Sequence, residues 1–118
     1  MKSSASLAVA LLALAAVPSW ALNTQFLTET PYAKFSKEDK RLLRQNVESA
    51  LTESGDGQTT EWKNEVSGAS GTLIPRKSFE RDGRKCREME VSNRYKTLQG
   101  QGTFTFCKDK FGKWQLAK

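Results

Sequence analysis

Cys86 and Cys107 are the only cysteines in the 118 residues, and the residues beside them alternate so regularly that one pairing is singled out. If the two face each other on antiparallel strands, opposed residue numbers sum to 193 and the bend centres on Lys96-Thr97. Met89 then lies opposite Phe104, Val91 opposite Gly102 and Tyr95 opposite Leu98. Glu88/Thr105 and Glu90/Thr103 join the cysteines on the other face. One face is apolar and the other mostly polar, the period-two pattern of a half-buried hairpin. The alternation specifies structure and names no chemistry.

The first twenty-one residues read as a signal peptide. Met1-Lys2 gives a short positive start, Ala5 to Val17 is an apolar run, and Ser19-Trp20-Ala21 is an Ala-x-Ala-like cleavage site. A chain starting at Leu22 is expected, with a retained N-terminal anchor as the alternative. The apolar run is shorter than the roughly 20 residues a bilayer span needs, and no later stretch approaches that length. The ninety-seven residues that follow Ala21 suffice for one domain with a modest core. An exported context and an even cysteine count favour a disulfide, worth about 3 kcal/mol for a loop of this length. Two free thiols, or half of an intermolecular pair, are the alternatives.

Along the chain, 22–35 has no helical or strand period and reads as an arm carrying Phe26, Tyr32 and Phe35. Ser36 offers an N-cap, with Glu38 and Asp39 in the first turn, where carboxylates suit the helix dipole. Leu43, Val47, Ala50 and Leu51 recur at helical spacing, Arg44 and Glu48 form an i,i+4 pair, and Gly55 ends a helix over about 37–54. From Gln58 the reading changes to strands. Thr59 to Val66 and a return beginning at Thr72 form a first hairpin around Ser67-Gly68-Ala69-Ser70-Gly71, and Pro75 demands an edge or a bulge. Arg81-Asp82-Gly83-Arg84 is a compact turn, with strands at about 85–94 and 101–108 and a terminal strand around Trp114-Gln115-Leu116. The expected fold class is α+β: one N-terminal amphipathic helix on an antiparallel meander of four to five strands, held by one disulfide.

Histidine is absent, which removes Ser-His-Asp and Cys-His catalysis and the zinc sets that use it. Two cysteines alone do not make a structural zinc site, so neither a metal nor another cofactor is expected. Glu88 and Glu90, about 7 Å apart on a regular strand, resemble a carboxylate pair, but they alternate with Met89 and Val91 as an outward polar row, and no catalytic residue is assigned. Without the leader, eighteen Lys plus Arg stand against thirteen Asp plus Glu, a net charge of +5. The densest cations, Arg76, Lys77, Arg81, Arg84, Lys85 and Arg87, form a candidate patch for an anionic partner, with an ordinary solvated rim as the alternative. Only Phe79 lies among them, which argues against nucleic acid. Trp62 and Trp114 are candidate platform aromatics, although at strand positions bounded by turns tryptophan more often covers a core.

The order of Ala50-Leu51, Trp62-x-Asn64, Ser67-Gly68-x-x-Gly71, Pro75, Gly83-x-x-Cys86-Arg87-Glu88, Cys107 and Gly112-x-Trp114 resembles the C-terminal domain of the rickettsial-type 17 kDa surface antigen family. The resemblance covers about 35–114. It implies a proteobacterial envelope protein with a small β-rich domain and no established enzymatic activity. The family's paired cysteines fall on Cys86 and Cys107, and its Trp-x-Asn and Cys-Arg-Glu pieces on Trp62, Asn64, Arg87 and Glu88, with no catalytic role attached. Better-known members carry a lipidated cysteine and a glycine-zipper segment ahead of the domain; neither is seen here. The expectation is thus a signal peptide at 1–21, an arm at 22–35 and a surface-antigen-like domain at 36–118. It should be a non-enzymatic monomer, periplasmic or associated with the outer membrane, whose partner is an envelope protein or an anionic envelope component.

Overall fold

The computed structural model describes residues 30–117. The expected signal peptide and residues 22–29 of the arm lie outside the described residues. Within them, two helices precede five strands: α1 (Pro31–Lys34), α2 (Lys37–Glu53), β1 (Thr60–Asn64), β2 (Ala69–Arg81), β3 (Arg84–Tyr95), β4 (Leu98–Lys108) and β5 (Trp114–Leu116). The strands form one antiparallel sheet in chain order, β1-β2-β3-β4-β5. Among the described residues no helix is long and apolar enough to cross a membrane.

The β3–β4 register is the one the alternation requires. Cys86 pairs with Cys107, Met89 with Phe104, Val91 with Gly102 and Tyr95 with Leu98, and the cysteines form a disulfide. Asp82 and Gly83 both take positive φ in the β2–β3 turn, the conformation that a two-residue hairpin favours and that Asp-Gly supplies. Pro75 sits where the β2–β3 register shifts, between Pro75 and Lys77, so its missing N–H falls at a bulge inside a long strand.

Several local expectations change, among them the start of β4, which lies at Leu98 rather than near 101. Pro31–Lys34 is a helical turn rather than aperiodic arm: Thr30 caps it, and Pro31 occupies the first turn, where its absent N–H costs nothing. Strand β2 begins at Ala69, earlier than Thr72, because small residues are what its start requires. Gly71 pairs with Trp62, whose indole lies so close that a Cβ there would be 2.5 Å from Nε1. On the outer face of α2 the ion pair is Glu38 with Arg41 at 2.7 Å, about two turns before Arg44 and Glu48.

Phe35, Ala50, Leu51, Trp62, Ala69, Leu73, Met89 and Val91 form one buried cluster, so the apolar stripe of α2 and one face of β1–β3 share a core. Phe35 meets the Trp62 ring edge-on at 5.5 Å between centroids. Phe104 belongs to the same face but is 43% exposed, since α2 packs mainly on β1 and β2.

Candidate functional site

Besides the shared apolar core, polar side chains fasten α2 to the sheet at its two ends. At the N-terminus Ser36 and Asp39 form a capping box: the Asp39 N–H donates to Ser36 Oγ at 3.1 Å and the Ser36 N–H donates to Asp39 Oδ2 at 2.9 Å. The other carboxylate oxygen faces inward and accepts from Asn64 Nδ2 and from the Ser67 hydroxyl, both at 2.7 Å. Asp39 is fully buried. Burial alone would raise its pKa; the hydrogen bonds from Ser67, Ser36 and Asn64 outweigh it and hold the carboxyl below the ordinary aspartate value.

At the C-terminus of α2, Arg87 arrives from β3. Its Nη1 donates to the carbonyls of Leu51 and Ser54, both at 2.8 Å, and at 3.4 Å to that of Ala50. Its Nη2 meets Asp56 at 2.6 Å and its Nε donates to Ser78 Oγ at 3.0 Å. A cation on the last carbonyls of a helix offsets the negative end of the dipole. The Arg87 contact, followed by the Ser78 hydroxyl, pulls the Asp56 carboxyl below its usual range.

The six cations of the candidate patch therefore separate. Arg87 is 11% exposed and turned onto the helix. Arg76, the extra residue of the bulge, pairs with Glu90 at 3.3 Å. Lys77 and Arg81 lie over the Phe79 ring at 5.7 and 5.5 Å from its centroid, and Arg84 is paired with Arg81 across the hairpin. Lys85 is exposed on the next residue. Trp62 is a core residue rather than an exposed platform. Trp114 is half-buried against the core, with the Lys108 ammonium 5.3 Å from its ring centroid. Glu88 lies opposite Thr105, Glu90 opposite Thr103. Among the described residues no three His, Cys, Asp or Glu side chains gather as metal ligands.

The sheet face without a helix carries a trough of about 790 Å³. Two rungs of outward side chains line it: Glu61, Thr72, Ser92 and Gln101, then Lys63, Ser70, Arg94 and Gln99. Each rung crosses four strands with short hydroxyls at its centre and longer amide or charged side chains at its ends, a row of hydrogen-bonding groups on either side of a floor that includes Trp62, Gly71 and Gly100. Sequence reasoning passed over the trough because its members are ordinary outward residues until the register aligns them. It also passed over Asp39 as an anchor. The available signal was Ser36-x-x-Asp39, a capping-box spacing.

The family model described as "17 kDa outer membrane surface antigen" matches residues 49–115, more than half of the chain. A "17 kDa surface antigen" from Rickettsia bellii strain RML369-C, and one of the same name from Rickettsia bellii, are each 29% identical over 85 residues. Those 85 residues are 71% of this chain and 54% of each relative, so the chain spans about half the length of the curated relatives it matches. No solved structure matches the chain. Asn64, Ser67, Arg87, both cysteines and the whole trough lie inside the matched span, and the chain belongs to the 17 kDa outer membrane surface antigen family.

Proposed function

We propose that the chain is a non-enzymatic cell-envelope module that acts by binding, with its disulfide-held sheet as a rigid platform and residues 36–118 as the domain. One observation carries this reading: Asn64, Ser67 and Arg87, together with Cys86 and Cys107, lock the helix and strands to one another, while the helix-free face stays open as a polar trough. Rigid, pre-aligned hydrogen-bonding groups lower the ordering cost of binding. Export to the envelope is supported by the leader-like residues 1–21 and by the similarity to relatives named as surface antigens. Glu88 and Glu90 lend little to carboxylate chemistry, because Glu90 is paired with Arg76 and neither lines the trough.

A photo-crosslinking side chain placed at Thr72 or Ser92, against one at Arg44 on the outer face of α2, tests the platform in intact cells. Adducts of defined mass from the trough positions and none from Arg44 are expected. Equal labelling from both faces, or none from the trough, would overturn the proposal.

A second reading, electrostatic binding of an anionic envelope component, is favoured by Arg81 and Arg84. Like charges directly opposite in a hairpin repel, and an anion between them relieves that repulsion. Lys77 and Lys85 extend the same charge. Salt separates the two readings: trough binding persists at 0.5 M salt, roughly, whereas charge-driven binding is screened away.

A further inference from the structure

Phe111 is 77% exposed at the tip of the turn joining β4 and β5, between Lys110 and Lys113. The turn is built rather than slack. The Asp109 carboxylate accepts from the N–H groups of Phe111 and Lys113 at 2.9 and 3.0 Å, and its other oxygen accepts from Gln115 Nε2 at 3.1 Å. The Asp109 N–H donates to the Lys113 carbonyl at 2.8 Å, and Gly112 takes the positive φ that closes the turn. Asp109 is thus occupied by its own loop, and the Lys113 N–H bond, the largest of its contacts, holds its carboxyl below the ordinary range. A large apolar ring is held outward by a turn whose carboxylate is turned inward.

The β2–β3 turn stands beside it. The register that pairs Cys86 with Cys107 brings Arg84 level with Asp109, and the Arg84 charge is felt at the Asp109 carboxyl. One end of the sheet therefore presents the exposed Arg81, Arg84, Lys110 and Lys113, with Asp82 as the acid of the β2–β3 turn, at the same end as an exposed phenyl ring whose centroid lies 5.3 Å from the Lys110 ammonium. The opposite end receives the N-terminal side of the described chain, where Pro31 packs on Gly100. An aromatic tip at an end of the sheet where cations outnumber acids is complementary to a surface with an anionic outer layer and an apolar interior.

We infer that this end of the sheet docks on an anionic phospholipid bilayer, with Phe111 entering the headgroup boundary and Arg81, Arg84, Lys110 and Lys113 lying against the lipid phosphates. The inference rests on the electrostatic second reading and deepens it by adding the β4–β5 turn and naming the surface. Each cation within reach of such a surface strengthens binding about fivefold. Burying most of a phenyl ring adds about tenfold.

The test is flotation of the purified protein with vesicles of phosphatidylethanolamine and phosphatidylglycerol, 3:1, and with vesicles of phosphatidylcholine alone. The variants are Phe111→Ser, Lys110→Ser with Lys113→Ser, and Lys77→Ser with Lys85→Ser. All share one N-terminus, so differences between them report the turns. Binding to the phosphatidylglycerol vesicles alone is expected, falling about tenfold in Phe111→Ser and about twentyfold or more in the paired turn variant. A Phe111→Trp protein should gain a blue-shifted emission quenched by brominated lipid in those vesicles and not in phosphatidylcholine. Because Phe111 is exposed, its variants should melt with the parent protein. Equal binding to both vesicle types, no vesicle binding, or an unshifted emission from the Phe111→Trp protein overturns the inference. If only the Lys77/Lys85 variant loses binding, charge-driven recognition stands and docking through the β4–β5 turn falls; if no basic variant matters, both fall.

Discussion

Arg87 separates a side chain that builds the domain from one that meets a partner, and the two roles predict opposite behaviour for Arg87→Lys. A partner-binding cation is largely replaced by lysine, which keeps the charge. A helix clamp is not, because the three-nitrogen fork reaches the carbonyls of Leu51 and Ser54, the Ser78 hydroxyl and Asp56 together. The two carbonyl bonds have a charged donor and good length, worth about 1.5 kcal/mol each, and the Ser78 bond adds roughly 0.5–1. The longer contact to Ala50 and the pairing with Asp56, which is 46% exposed, add little. Arg87→Ala should therefore lose about 3–4 kcal/mol, and Arg87→Lys, keeping one or two of the bonds, about 2. For a domain of this size that is a fall in Tm of about 15 °C or more and about 10 °C. Thermal and urea unfolding followed by circular dichroism, with the disulfide intact, measures both, and the urea slope should stay unchanged. An Arg87→Lys protein melting within about 2 °C of the parent would refute the clamp.

The Asp39 anchor predicts a pH signature. Its carboxyl is depressed in the folded state, so its contribution is complete above the ordinary aspartate value near 3.8 and disappears as pH falls through the lower folded value. Asp39→Asn should cost about 2–3 kcal/mol at pH 7 and progressively less below about pH 4; a cost that is constant down to pH 2.5 would sink the assignment. Gly71→Ala places a Cβ 2.5 Å from Trp62 Nε1 and 2.6 Å from the Ser92 carbonyl. It should lose about 2–3 kcal/mol and alter the near-UV tryptophan signal, whereas Gly55→Ala, whose Cβ meets nothing within 4 Å, should stay within about 0.5. For the disulfide, Cys86→Ser with Cys107→Ser should lose about 3 kcal/mol and match the parent after reduction, and thiol titration before reduction should find none; equal melting of the double variant and the parent argues against stabilisation by the bond.

What could be read without coordinates was what neighbouring residues decide among themselves. The β3–β4 register followed from alternation on both sides of a short bend, the β2–β3 turn from Asp82-Gly83, the bulge from Pro75, and the extent of α2 from its apolar spacing between Ser36 and Gly55. Interactions across long stretches of chain left no such trace. Arg87 looks like its neighbours Arg84 and Lys85 until folding brings it to Leu51, 36 residues earlier. Asp39 looks like one more first-turn acid until Asn64 and Ser67 close on it from 25 and 28 residues away. The trough is of the same kind, since eight unremarkable polar residues come to line one surface only through three registers at once. Ala69 and Gly71 read as part of a hairpin turn because the small residues that a tryptophan needs beneath it are those that turns also favour.

The strand order β1-β2-β3-β4-β5 has a kinetic consequence. Every ladder joins neighbours in the chain, so each strand can add to the one before it by closing a short loop, and the sheet has no crossover to wait for. The helix comes first in sequence, yet its polar fastenings are Asn64, Ser67 and Arg87, so it is expected to dock after the strands that carry them. Loosening either fastening should then show mainly as faster unfolding, with the rate at which the hairpins form nearly untouched.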